Sequence, residues 1–287
     1  MLNNGEVYKA APGSDALTAV TGFPVPTGGT ELIDVVATDT EVFILRKSSI
    51  LRCTGTCATF SDFAVVKTLP FPDYGWDACA RGSAVFVTVN ANNIGGLYAV
   101  DRTGGTPTFT QRSSDLGVGS VKGCHVAESG DVYIAGDTGV VVLRTTGGVG
   151  IETVNLAGQA NAGWWSVVTR GTGASLAGFL VGGGSGYRSA VRQGASWLSL
   201  TPITTGGATL LSAVVALTGG DVLAGGTTNG TSATPGILQW DGAAFSGLTP
   251  AAPLMDVACA AAGLANDVYF GGNNRTPGNY AVVHGTR

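Results

Sequence analysis

Residues 123–136 read Gly123-Cys124-His125-Val126-Ala127-Glu128-Ser129-Gly130-Asp131-Val132-Tyr133-Ile134-Ala135-Gly136. Two short apolar runs flank Glu-Ser-Gly, a combination that marks a tight turn between two strands. Gly supplies the positive φ such a turn needs. The same pattern returns along the chain. Its second run recurs as Glu41-Val42-Phe43-Ile44, Ala84-Val85-Phe86-Val87, Asp221-Val222-Leu223-Ala224 and Asp267-Val268-Tyr269-Phe270. The Val positions 42, 85, 132, 222 and 268 are spaced by about 45 residues or twice that. The double gap predicts a further copy near 177, where Ala177-Gly178-Phe179-Leu180-Val181 stands.

Each of these runs follows another apolar segment: Ile33–Ala37, Trp76–Ala80, Gly123–Ala127, Trp165–Val168, Leu211–Val215 and Met255–Ala258. Two more strands follow the pair. Gly139-Val140-Val141-Val142-Leu143-Arg144 leads through Gly147-Gly148 to Ile151–Val154, and Gly236–Trp240 leads through Asp241-Gly242 to Phe245. One unit is therefore four strands in roughly 45 residues, the size of one blade of a β-propeller. A parallel α/β fold needs helical patterns between its strands, and none is present. The expected fold is all-β: a single β-propeller over 1–287 with six four-stranded blades, seven being the alternative count. Blades begin near 31, 74, 121, 164, 210 and 254. The N-terminal segment 1–25 reads as a hairpin, Glu6–Lys9 and Leu17–Val20. The chain stops at a third strand, Tyr280–Val283, so the N-terminal strands are expected to close the last sheet and remove its free edge.

The repeat resembles that of bacterial β-propeller repeat proteins over nearly the whole chain. No Trp-Asp dipeptide ends the repeats, and the Ser-x-Asp-x-Gly-x-Thr-Trp box of sialidase-like blades is missing. The resemblance thus stays at superfamily level and carries over no functional residue. Arg in excess of Lys, with abundant Ala and Gly, points to a bacterial source.

Composition bounds the function. Of 287 residues, 44% are hydrophobic and 12% charged, which excludes disorder. The 46 glycines follow no strict triplet and fit many tight turns instead. Net charge is -4 with no basic stripe, so nucleic acid is not an expected partner. No apolar run of ~20 residues exists to span a membrane as a helix. Residues 1–6 show neither a basic n-region nor an apolar core, so this chain is read as made without a secretory signal or as a trimmed or mature form.

Five cysteines leave one over. Cys53 and Cys57 sit four apart and can close a small disulfide, which would place the protein in an oxidising compartment: extracellular, cell-surface or periplasmic. Cys79, Cys124 and Cys259 lie in apolar strands, as buried thiols or as bridge members.

Three groups of residues are candidates for chemistry. The early polar position of each inner strand reads Asp34, Asp77, Gly123, Ser166, Ser212 and Asp256. Asp34, Asp77 and Asp256 converging near an axis would suit a hard cation such as Ca²⁺, the one cofactor the sequence suggests. The alternative is structural: an Asp there accepts amide hydrogen bonds and locks neighbouring blades, and recurrence in register favours this. Asp131, Asp221 and Asp267 follow turns and read as turn formers. The second group is aromatic: Trp164, facing opposite to Trp165, with Tyr74 and Tyr187, forms a platform for a sugar or peptide. The third is the loops 90–96, 182–187, 227–235 and 273–279, rich in Asn, Gly, Ser and Thr. Asn92, Asn229 and Asn274 there offer hydrogen bonds to neutral polar ligands. Cys124 and His125 are adjacent on a strand and point apart, so they form no nucleophilic pair. With only two His, a catalytic triad is not expected.

These features favour a non-catalytic binding or scaffold module that recognises protein or glycan through loops at one face. A metal-dependent propeller enzyme (hydrolase, lactonase or lyase) using the axial carboxylates is the second reading, and a structural subunit of a surface assembly or filament the third.

Overall fold

A computed structural model of the chain describes residues 6–10, 16–70, 72–144, 148–152, 163–183, 187–194, 196–200, 208–228, 236–247, 255–262, 267–274 and 280–286. These residues form strands and two single-turn 3-10 helices, Phe60–Asp62 and Gly173–Ser175. No helix among them is long and apolar enough to cross a membrane. The chain divides into two compact units. One comprises Met1–Asp137 with Val141–Ile151; the other comprises Thr138–Val140 with Glu152–Arg287.

The first unit opens with the hairpin β1 (Val7–Ala10) and β2 (Leu17–Val20). Three antiparallel meanders follow: β3 (Leu32–Ala37), β4 (Val42–Arg46), β5 (Ser49–Cys53) and β6 (Ala64–Thr68); β7 (Tyr74–Arg81), β8 (Ala84–Ala91), β9 (Ile94–Asp101) and β10 (Thr108–Ser113); β11 (Val121–Val126), β12 (Val132–Gly136), β13 (Val140–Arg144) and β14 (Gly148–Glu152). In the second unit β15 (Gly163–Arg170), β16 (Ala177–Gly183), β17 (Tyr187–Gln193) and β18 (Ser196–Ser199) form one meander. Next come β19 (Ala208–Ala216), β20 (Val222–Thr228), β21 (Ile237–Trp240) and β22 (Phe245–Gly247). A bridge between Gly183 and Leu210 links these two into one eight-stranded sheet. A three-stranded sheet of β23 (Met255–Ala262), β24 (Asp267–Asn274) and β25 (Tyr280–Thr286) completes the unit.

The 45-residue interval read in the sequence is thus an interval of β-meanders, the architecture of a β-propeller-like protein. Apolar side chains alternate along the second strands, so each strand serves two cores. Phe43 and Leu45 of β4 pack with Val85, Val87 and Val89 of β8, whereas Ile44 packs with Leu51, Cys53 and Phe63. Val7 and Val20 of the hairpin join the Ile44 cluster, and Thr21 bridges Thr59. The N-terminal hairpin is thus anchored on the first meander.

Every lead strand (β3, β7, β11, β15, β19 and β23) carries a β-bulge. The skipped residues are Ile33, Trp76, Lys122, Trp165, Ser212 and Ala258, and β19 skips Thr209 as well. A bulge leaves its extra residue out of the ladder and re-aims the side chain. The loop expected over 90–96 is a two-residue turn instead. Asn92 and Asn93 have φ of 50° and 66°, and strand pairing runs up to them on both sides. Asn tolerates this left-handed conformation, so no longer loop is needed.

Candidate functional site

The recurring polar residues of the lead strands bind the next lead strand along the chain. The Ala78 amide donates to Asp34 Oδ2 at 2.9 Å, and the Cys124 amide donates to Asp77 Oδ2 at 2.5 Å. In the second unit the Val214 amide donates to Ser166 Oγ at 3.2 Å, and Ser212 Oγ donates to the Val257 carbonyl at 2.5 Å. The partners lie 44, 47, 48 and 45 residues apart, one repeat each. Gly123 brings no side chain to this position. The side chain of Asp256 lies outside the described residues. Among the described residues, no group of three or more His, Cys, Asp or Glu converges as a metal site would require.

Asp34 and Asp77 also touch each other. Burial pushes both carboxyls up. For Asp34, hydrogen bonds from Asp77 and from the Ala78 and Val35 amides offset part of that rise. For Asp77, the charge and hydrogen bond of Asp34 add to burial, and its carboxyl is held well above the ordinary range. Both residues are half-buried, with protein packed around their carboxyls. The two carboxyls titrate together, and both favour protonation above the ordinary carboxylate range.

Two disulfides are formed. Cys53–Cys57 closes its small loop. Cys79–Cys124 joins β7 to β11 across 45 residues, beside the Asp77 hydrogen bond. Its spacing equals the repeat, which is the sequence signal for a bridge between equivalent strands. Cys259 is in no disulfide and is exposed, not buried as its apolar surroundings suggested.

Of the two adjacent tryptophans, Trp164 departs from expectation and Trp165 is half-buried. Trp164, expected at an open face, is 2% exposed. A ring without an open face offers no stacking platform. The bulge between Trp164 and Ser166 turns Trp165 out of the ladder and leaves Trp164 in the packed register. Trp197 is buried, and Trp240 packs edge-on against Phe179 and Phe245, both at 5.4 Å.

Tyr74 lies where aromatic and charged groups do gather. Its ring is 6.1 Å from that of Trp76, edge-on. Lys122 Nζ sits 4.5 Å over the Trp76 ring and 3.7 Å from Asp137 Oδ1. Trp76 and Lys122 are both bulge residues; all four residues are half-buried, and Trp76 also packs against the core around Cys79 and Val121. Tyr74 pairs with Asn90, two residues before Asn92, so the exposed Asn92 stands at the same end of the sheet. Asn90 itself is buried. Its side chain accepts from the Val121 amide at 2.8 Å and donates to the Val121 carbonyl at 3.0 Å, as a strand neighbour would. In the sequence Trp76 begins a lead strand and reads as packing between repeats, and Lys122 carries no signal, because its place beside Trp76 follows from bulges. Asn229 and the side chains of Tyr187 and Asn274 lie outside the described residues.

The acids after the turns do more than turn the chain. Glu41 is buried between Arg52 and Arg102; Arg52 Nε donates to it at 2.9 Å and Arg102 at 2.5 Å. Arg144 reaches Asp131 at 3.2 Å, Gln239 reaches Asp221 at 3.5 Å, and His284 lies 3.2 Å from Asp267. In each case the acid at the start of a second strand braces the third strand of its own meander.

No protein-family model matches the chain, and no curated protein does. Solved structures do match. The extracellular domain of a protein described as a one-component system of B. thetaiotaomicron aligns at TM-score 0.61 and 12% identity, over 99% of this chain and 37% of that one. The chain thus spans a little over a third of that extracellular domain. YCF48 bound to D1 peptide aligns at TM-score 0.65 and 11% identity, over 95% and 84% of the two chains. Oligogalacturonate lyase in complex with manganese aligns at 0.58 and 10%, over 94% and 79%. Identities this low establish the propeller-like fold and leave function to the site.

Proposed function

We propose that the chain is a non-catalytic binding module acting outside the cytoplasm, which recognises a protein or peptide through the Tyr74–Trp76–Lys122–Asp137 end of its first unit. The observation that carries this reading is the pair of bulges that take Trp76 and Lys122 out of their ladders and set the Lys122 ammonium over the half-buried Trp76 ring. An aromatic face, a cation and a carboxylate within one patch suit a peptide better than a neutral sugar. The YCF48 neighbour, bound to a peptide, and the extracellular-domain neighbour support the same class and setting. So do the two disulfides, since such bonds persist outside reducing compartments. A metal-dependent enzyme would need Asp34 and Asp77 as ligands, and both already hold the next strand's amide. We further propose that the chain carries six propeller blades, one for each lead strand.

Peptide-array and glycan-array binding of the wild type, repeated with Trp76→Ala and with Leu198→Ala as the exposed control, tests the reading. Peptide binding lost with Trp76→Ala and kept with Leu198→Ala is expected. Peptide binding that survives Trp76→Ala, or binding to glycans alone, contradicts it.

A further inference from the structure

Arg46 stands where the repeat has no place for a cation. In each meander one residue of the second strand faces the last lead-strand residue before the bulge. These residues are Arg46, Val89, Gly136, Gly182, Gly226 and Gly272, opposite Leu32, Gly75, Val121, Trp164, Leu211 and Val257. At Gly182 an added Cβ would meet the Gly163 carbonyl at 2.3 Å, and at Gly136 it would meet Val118 at 2.7 Å. Where the other meanders hold glycine or valine, the first holds a whole arginine. Features that repeat serve the scaffold; a departure from the repeat at one position asks for a separate reason.

The Arg46 side chain is 7% exposed. Its guanidinium lies 5.1 Å from the Phe60 ring centroid, at stacking distance. Among the described residues it makes no ion pair, and its Nε is buried without a hydrogen-bond partner. The acids in and beside the paired strand are already used: Asp34 of β3 holds the Ala78 amide. Glu31 accepts from the Gly29 amide at 2.8 Å and lies 3.9 Å from Lys47. A desolvated guanidinium with no counter-charge is costly, and an aromatic face compensates only part of that cost.

We infer that Arg46, held against Phe60, is an anchor for an oxyanion group, a carboxylate or a phosphate, carried by a ligand of this protein. Guanidinium meets such groups through a planar fork of N–H donors, which gives direction as well as charge. Nε is the nitrogen that is fully enclosed, so the Nη edge is the side the ligand meets. The Phe60 ring backs the guanidinium, and its own position is set by the Phe60 amide, which donates to the Thr21 carbonyl at 2.8 Å. This anchor is independent of the Trp76 surface, which uses other strands.

Thermal melting of the whole chain against sodium phosphate, sodium acetate and sodium chloride at equal ionic strength tests the inference. A saturating rise in melting temperature with phosphate or acetate, absent with chloride and lost in Arg46→Met, is expected. Arg46→Lys keeps the charge without the fork and should bind at least about tenfold more weakly. A response to phosphate alone assigns a phosphate ester. A response to acetate, and to a short peptide with a free but not an amidated C-terminus, assigns a carboxylate. In the wild type alone, the Arg46 Nε–H resonance should move as the anion is added, which covers the case of a variant that does not fold. No anion-specific rise, an equal rise in Arg46→Met, or an unmoved Nε–H resonance overturns the inference.

Discussion

The Ala78 backbone amide donates a 2.9 Å hydrogen bond to the Asp34 carboxylate, 44 residues earlier in the chain. The bond joins the lead strand of one meander to that of the next, and the Cys124 amide repeats it on Asp77 one step further on. Asp34→Ala removes the acceptor and leaves a partly buried amide unpaired. That should cost about 1.5–3 kcal/mol, the range for a hydrogen bond to a charged group. Asp34→Asn keeps an acceptor oxygen and should cost less than half as much. Urea unfolding of the three proteins measures the difference.

Stability should also depend on pH in two opposite ways. Asp77 has its carboxyl raised by burial and then by Asp34, so its protonated form favours the folded state. That contribution is complete below its ordinary value of 3.8 and is lost as pH rises toward the folded value. For Glu41, burial pushes the carboxyl up, but hydrogen bonds and charge from Arg52 and Arg102 outweigh it and hold it below 4.5. That contribution is present above 4.5 and is lost as pH falls. Asp77→Asn should flatten the loss of stability from acid toward neutral pH, and Glu41→Gln the loss into acid. Urea midpoints across about pH 3 to pH 8 separate the two.

The two disulfides should differ in what they contribute. Loop-closure entropy gives roughly 4 kcal/mol for the 45-residue span of Cys79–Cys124 and roughly 2 kcal/mol for the four-residue span of Cys53–Cys57. Replacing both Cys79 and Cys124 by Ala should lower the melting temperature about twice as far as replacing Cys53 and Cys57. Calorimetry of the two double variants, with the oxidised wild type as reference, checks the order.

Divalent cations should have little effect. Asp34 and Asp77 hold the amides of the next lead strands, and a cation there would have to displace both. Melting in calcium or manganese should match melting in EDTA. A saturable rise lost in Asp34→Asn would restore the metal reading.

Much of this was legible in the sequence because it repeats. The 45-residue interval predicts the meanders, and the shared register of Asp34, Asp77, Ser166 and Ser212 predicts a shared role. Both readings of that role were open from residue type alone. Only the positions of the Ala78 and Cys124 amides separate a structural rung from a metal ligand. The site was less legible, because alternation along a strand assumes an unbroken ladder. The bulge at Trp165 breaks it, which buries Trp164 and turns Trp165 out. The same device at Trp76 and Lys122 builds the surface proposed for binding. Arg46 is visible as a sequence departure only once strand pairing aligns it with the glycines of other meanders.

Amide hydrogen exchange at Ala78 addresses the role of the lead-strand carboxylates most directly. If Asp34 is a rung between meanders, the Ala78 amide is strongly protected in the wild type. Asp34→Ala should then speed its exchange far more than that of amides elsewhere in β7. Equal Ala78 exchange in the two proteins would mean that the Asp34 carboxylate is not bound to that amide in solution.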